Sequence, residues 1–203
     1  INAAGLYSDR IAIMAGISPD VRIIPFRGEY FELPEEAAVK VKGLIYPVPN
    51  PNFPFLGVHL TKMIGGGVHA GPNAVLALSR EGYTWSSLIP RELWLTLSFP
   101  GFVRLASRNV GTGLREIARS ASKKMFARDL SRLVPGIEHK DLIPSPAGVR
   151  AQAIRPDGTL ADDFIIHLTQ GQVHILNAPS PAATASLAIA KHLRRLLQEQ
   201  LTS

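Results

Sequence analysis

Cysteine is absent from all 203 residues, which excludes disulfides and thiolate metal sites and is compatible with a reducing cytoplasm. No apolar run approaches the roughly 18 residues that a membrane-spanning helix needs, and no charged-then-apolar leader opens the chain. No G-x-G-x-x-G pattern opens a strand–helix–strand unit, so the phosphate cradle of a dinucleotide fold is not legible here. Neither a basic-aromatic alternation nor a helix-turn-helix pattern accompanies the net charge of +6, which argues against nucleic acid. An initiator Met is missing too. The first residues, Ile1-Asn2-Ala3-Ala4-Gly5, read as the end of a buried strand running into a glycine turn, and the expectation is the C-terminal part of a longer protein.

What is present is ordinary for a folded chain: 46% hydrophobic and 19% charged residues, enough for one or two domains with a sizeable core. The pI near 9.9 favours an acidic partner, such as a dicarboxylate, a phosphorylated cofactor or an anionic surface.

Taken in order, Ser8 is expected to cap a short helix reaching Gly16, with Asp9 in its first turn. Residues 21–33 read as two strand halves kinked around Pro25 and Gly28, with Arg27 and Tyr30 in the irregular middle. Short strands follow at 44–48, 57–63 and 68–70, joined tightly through the prolines of 47–54 and through Gly65-Gly66-Gly67. Tyr46 and His59 stand out as polar side chains in apolar strands; a lone strand histidine is more often structural than catalytic.

Residues 91–134 are expected to be helical. One segment ends at Pro100-Gly101, another covers 102–108, and Gly111 and Gly113 interrupt the pattern. A single amphipathic helix then carries Leu114, Ile117, Ala118, Ala121, Met125, Leu130 and Leu133 on one face. Arg104, Arg108, Arg115, Arg119, Lys123, Lys124, Arg128 and Arg132 form a basic surface that is either solvated or turned to an anionic membrane or a partner.

Residues 146–193 organise the reading. Strands are expected at 149–154, 164–168 and 173–176, with turns at Pro156-Asp157-Gly158 and Gln170-Gly171. Ser180 is placed as N-cap and Pro181 as first residue of an Ala-rich helix to about 200, with Ile189, Leu193, Leu196 and Leu197 inward. Small residues at Ala182, Ala183 and Thr184 would let a flat, electron-rich group approach the open N–H donors of that tip. They would equally let the helix pack closely on a sheet.

Several stretches recur together: NAAGLYSDR at 2–10, PFRGEY at 25–30, IYPVPNPNFPFLGVHLT at 45–61, GPNAVLALSREGY at 71–83, AGVRAQ at 147–152 and NAPSPAATAS at 177–186. In this order the chain resembles the C-terminal half of the L-2-hydroxyglutarate oxidase/dehydrogenase family, within the D-amino-acid-oxidase-like superfamily of FAD-dependent oxidoreductases. The resemblance implies an α+β chain cut from an α/β parent. An antiparallel substrate-domain sheet with helices would occupy 21–143. Residues 1–20 and 144–203 would belong to a Rossmann-like FAD-binding domain whose N-terminal nucleotide-binding unit is missing. Lys62 stands where the family usually has an arginine, and Gly65 where it has an acid.

The implied reaction is oxidation of a small L-2-hydroxy acid, L-2-hydroxyglutarate first, to a 2-oxo acid with hydride transfer to FAD, and with oxygen or a quinone as final acceptor. A related amino-acid or glycerol-phosphate oxidase, or a fragment inactive alone, are the rival readings. The resemblance assigns the base to His59 and the substrate carboxylate to Arg150, with Arg27, Tyr46 and Tyr30 as further wall or distal-carboxylate candidates. Cofactor contacts are implied at Ala4, Gly5, Leu6, Gly148, Val149, Ser180, Ala182, Ala183 and Thr184; no metal is implied. The implied setting is cytoplasmic, with the basic helices available for peripheral contact with the inner membrane.

Overall fold

A computed structural model describes residues 1–48, 57–169 and 171–202. In chain order its elements are α1 (Ser8–Met14), β1 (Arg22–Leu33), α2 (Glu35–Ala38), β2 (Leu44–Ile45), β3 (His59–Lys62), β4 (Val68–Gly71) and β5 (Val75–Leu76). There follow α3 (Pro90–Leu97), α4 (Pro100–Arg108), α5 (Val110–Ala121), α6 (Lys123–Leu133), β6 (Ile143–Ile154), β7 (Ile165–Thr169), β8 (Gln172–Asn177) and α7 (Ser186–Thr202). They form two compact units, one of Ile1–Ile24, Thr96–Leu105 and Ala151–Ser203, the other of Pro25–Leu95 and Ala106–Arg150. The mixture of helices and antiparallel ladders is the α+β class expected from the sequence. No helix among the described residues is long and apolar enough to cross a membrane.

The second unit is built on a sheet of order β2-β3-β4-β1-β5, with β6 also paired to β1. Register places Phe31 opposite Ala70, Leu33 opposite Val68, and Leu60 opposite Ala70. Directly opposed residues share a face, so the pleat sends Phe31, Leu33, Leu60, Val68 and Ala70 to one side. There they meet Phe126, Ala127 and Leu130 of α6, and the Phe31 and Phe126 rings sit edge to face at 4.7 Å. Burying such side chains contributes about 1.5–3 kcal/mol each. The opposite side carries Gly28, Tyr30, His59 and Gly71.

In the first unit β7 and β8 form a hairpin, and a smaller core gathers Ala12, Val21, Ile23, Ala153, Ala161 and Leu176. The opening residues are tied in: Asn2 bridges His174 in parallel, and its amide donates to the Ser8 carbonyl at 2.7 Å. Buried Asp9 accepts from the backbone N–H groups of Arg10 and Ile23.

Several expectations are corrected. Residues 22–33 form one strand, because Pro25 keeps its carbonyl bond from Ala77 N (3.0 Å) and loses only a donor. Strand pairing at 44–48 stops after Ile45, and at 57–63 it covers only 59–62. Ser8 is the first helical residue instead of a cap, and its hydroxyl donates to the Leu176 carbonyl. Gly111 and Gly113 lie inside α5, where inward contacts of Glu116 and Ser120 outweigh the roughly 1 kcal/mol that glycine costs a helix. The long helix expected to 133 breaks at Ser122, which turns extended and accepts the Met125 N–H at its side chain. The final helix starts at Ser186, five residues later than expected. The Gly65-Gly66-Gly67 turn does join β3 to β4, whereas the proline link from 49 onward, and Gln170 of the expected hairpin turn, lie outside the described residues.

One close approach holds the sheet's open side. A Cβ on Gly28 would stand 2.3 Å from Pro72 Cβ and 2.7 Å from the Asn73 carbonyl. Gly28→Ala is therefore expected to cost about 1–3 kcal/mol and lower the melting temperature. Gly43→Ala, with open space at its Cβ, is the control that should leave it unchanged.

Candidate functional site

Strand alternation sorts the candidates of the second unit. Tyr30 and His59 lie on the side away from α6, since His59 opposes Gly71 and a Cβ on Gly71 would lie 3.1 Å from the Tyr30 ring. The Tyr30 ring also covers Gly148, whose added Cβ would meet it at 3.3 Å, and Arg150 follows Gly148 by the two residues that keep one face. Tyr46, exposed just beyond β2, stacks on His59 with ring centroids 4.5 Å apart. Tyr30, Tyr46, His59, Gly148 and Arg150 are thus brought together.

The surroundings of His59 fix which ring nitrogen carries the hydrogen. Its Nδ1 lies 3.1 Å from the Gly57 carbonyl, an acceptor only, so Nδ1 carries the hydrogen and Nε2 keeps its lone pair. Desolvation pulls its pKa below the usual histidine value; the Gly57 carbonyl opposes this, and the Arg150 charge lowers it further. The imidazole is therefore neutral at pH 7. Arg150, half-buried, has no ion-pair or hydrogen-bond partner among the described residues, so its guanidinium donors are unengaged. His69, on the same face, is instead engaged with Glu32 at 3.4 Å.

Arg27 is not part of this group. It projects to the α6 side of β1, buried, where it pairs with Glu29, donates to the Tyr83 carbonyl at 3.4 Å and lies 4.3 Å from the Trp85 ring centre. Glu29 in turn accepts from Ser120 of α5 at 2.8 Å. These partners use the guanidinium's donors internally. Lys62 alternates to the same side as Leu60, away from His59.

Sequence reasoning missed Asn73. Its Oδ1 accepts from Glu29 N at 2.8 Å and its Nδ2 donates to the Glu116 carbonyl at 3.4 Å, so it locks the loop after β4 against β1 and α5. A buried asparagine between Pro72 and an apolar run was the available signal.

In the first unit a cavity of about 630 Å³ is lined by small residues, among them Ala3, Gly5, Ala178, Ala182 and Ser186, with Leu193 behind. Gly5, at φ +54°, and Ala182 are both cofactor candidates, and they border the same space. Ala4 and Leu6 flank Gly5 in a short 3-10 turn. The expected helix cap at Ser180 does not form: Ala182 N–H closes onto the Pro179 carbonyl at 3.0 Å, the first helix-type bond runs from Ala185 to Pro181, and the helix begins at Ser186. The N–H groups of Ala183 and Thr184 donate to no described residue. The lining suits a flat, largely apolar ring. With Arg194 as its cation and no glycine run, it does not suit a diphosphate.

A family model described as FAD dependent oxidoreductase (DAO) matches residues 1–196. The chain is 58% identical over 190 residues to the L-2-hydroxyglutarate dehydrogenase of Indibacter alkaliphilus, covering 93% of this chain and 48% of that one. It is 45% identical to the L-2-hydroxyglutarate dehydrogenase of Escherichia coli strain K12 over 203 residues, all of this chain and 48% of that protein. With the mitochondrial L-2-hydroxyglutarate dehydrogenase of Mus musculus it shares 42% over 205 residues, 98% and 44% of the respective lengths. The chain spans about half the length of the curated relatives it matches.

The His59 titration is the direct check on this geometry. By NMR its midpoint should fall below the usual value of about 6.5. Replacing Arg150 by Met removes a cause that lowers it, so the midpoint should rise; an unmoved midpoint would separate the two groups.

Proposed function

Because this chain belongs to the DAO family of FAD-dependent oxidoreductases, we propose that it carries the substrate-handling residues of an L-2-hydroxy-acid oxidoreductase, with L-2-hydroxyglutarate as preferred substrate. The observation that carries this reading is the pairing of an unpartnered Arg150 with a neutral His59 whose Nε2 is free to accept a proton. FAD, when bound, supplies the two-electron acceptor.

The residues divide the remaining work. Arg150 binds the carboxylate next to the reacting carbon, and its planar fork fixes that carbon's orientation. His59 Nε2 takes the hydroxyl proton as the carbon is oxidised, and the resulting imidazolium is stabilised by the Gly57 carbonyl at Nδ1. Desolvation, with a smaller contribution from the positive Arg150, holds the His59 pKa down, which readies the base at neutral pH. Tyr46 and Tyr30 form the wall; the stack of Tyr46 on the imidazole limits its rotation. Gly148 and Val149 offer backbone to the same face. In the other unit, Gly5, Ala182 and their neighbours leave room for the flavin ring, and the open N–H groups of Ala183 and Thr184 are the donors offered to its electron-rich edge. Ser180 supports the turn that presents them. Arg27 serves this function indirectly, through the Glu29 contact that secures α5.

Rapid-mixing reduction of the flavin by L-2-hydroxyglutarate tests the assignment. His59→Ala should slow reduction about 100-fold or more at saturating substrate. Arg150→Lys should raise the substrate concentration for half-saturation about tenfold, because a lysine keeps charge and loses the bidentate fork. Unchanged reduction in the His59 variant would remove it from the base role. Equal rates with D- and L-enantiomers, or with amino acids, would point to the rival substrate class.

A further inference from the structure

The first unit buries a histidine that the proposed chemistry does not use. His174 of β8 is 3% exposed, and Asn2, which bridges it from the opening residues, is 6% exposed. The main chain fixes how the Asn2 amide is turned. Its Oδ1 accepts the Ala4 N–H at 3.2 Å, and its Nδ2 donates to the Ser8 carbonyl at 2.7 Å. A backbone N–H can only donate and a backbone carbonyl can only accept, so the amide cannot be reversed. The second Nδ2 hydrogen therefore meets His174 Nδ1 at 3.1 Å, and Nδ1 must accept. Nε2 then carries the ring hydrogen and donates to Gln172 Oε1 at 2.8 Å. Each polar atom of the two side chains has a partner, and only a neutral imidazole completes the set.

This pair holds in place a turn that borders the 630 Å³ cavity. The Asn2 backbone is tied to β8, donating to the Val173 carbonyl at 2.7 Å and accepting from Ile175 N at 2.8 Å. Its side chain reaches forward to Ala4 and Ser8, and between them lies the 3-10 turn Gly5–Tyr7. Gly5 and Ser8 both line the cavity. A proton on Nδ1 would set two donors against each other at 3.1 Å in a buried place, where the lost hydrogen bond is not replaced by water.

Burial holds the His174 pKa below the usual histidine value, and the charges of His167 and of the Ile1 amine lower it further. His167 is its partner across the hairpin. From α1, which packs on β8, come Arg10 and Asp9, whose carboxylate is engaged by the N–H groups of Arg10 and Ile23. From α7 the charged residue on the cavity side is Arg194.

We propose that neutral His174 is a positioning residue for the flavin: through Asn2 it sets the Gly5 turn, and a proton on its Nδ1 releases that turn and weakens flavin binding. This rests on the reading of the cavity as the seat of the flavin ring. The arrangement that binds flavin excludes the proton. Its affinity is therefore full above the ordinary histidine pKa and is lost as pH falls through the native-state value. By reciprocity, bound flavin pushes the His174 midpoint further down.

Two measurements on the flavin-free and flavin-loaded protein test this: FAD affinity from flavin fluorescence between about pH 8 and pH 5, and the His174 midpoint by NMR. Affinity should be level at the alkaline end and fall about tenfold per pH unit between the His174 midpoints of the two forms. The midpoint should drop when FAD binds. His174→Asn, whose Oδ1 can replace Nδ1 as acceptor but cannot titrate, should flatten the acid loss. His167→Gln should keep the loss and move it to higher pH, because a neighbouring charge is gone. An affinity level across the whole range, an acid loss kept by His174→Asn, or a His174 midpoint unmoved by FAD overturns the proposal; the last decides even where the variant does not fold. Ala182→Trp, which fills the cavity, tests the underlying reading separately. It should abolish FAD binding at every pH, and binding retained there overturns the cavity assignment itself.

Discussion

The second unit depends on β1 lying closer to residues 71–73 than any side chain permits. Gly28 and Gly71 make that approach possible: the first against Pro72 and Asn73, the second against the Glu29 carbonyl and Tyr30. With both present, β3 and β4 continue the sheet and bring His59 opposite Gly71, while β6 adds to β1 and delivers Gly148 and Arg150 to the same side. Asn73 then secures the loop through one bond to each neighbour. The grouping of Tyr30, His59 and Arg150 on the open face is a consequence of backbone contact beneath it.

Two arginines show how burial and partnership decide role. Arg27 is almost fully buried, and a guanidinium so placed is tolerated only with compensating partners, which Glu29, Tyr83 and Trp85 provide. Having them, it has little left to offer a ligand. Arg150 is half-buried and has no ion-pair or hydrogen-bond partner among the described residues, yet is close enough to lower the His59 pKa. The same logic explains α5. With Asn73 buried and Glu29 half-buried beneath it, helix α5 turns its polar side inward, and its apolar stripe is left facing out.

Much of the fold was legible locally. The hairpin of β7 and β8, the glycine turn between β3 and β4, and the helical run after residue 90 follow from turn chemistry and period. The elements that misled did so for tertiary reasons. Pro25 stays inside a strand because its carbonyl still finds Ala77, and Ser122 splits a helix so that Arg119 can reach Asp129. At the Ser180 turn, the Ala182 N–H goes to Pro179, and the helix waits until Ser186. His59 and Arg150 were named by motif resemblance, and their residue types alone are ambiguous.

The sequence by itself determined the class of fold and the family, because composition, turn residues and motif order are local properties. Only the tertiary structure decided which of those residues are unengaged, which tautomer His59 holds and which side of α5 meets solvent. Those outcomes rest on which buried groups find partners across the sheet, and such pairings join residues that lie tens of positions apart in the chain.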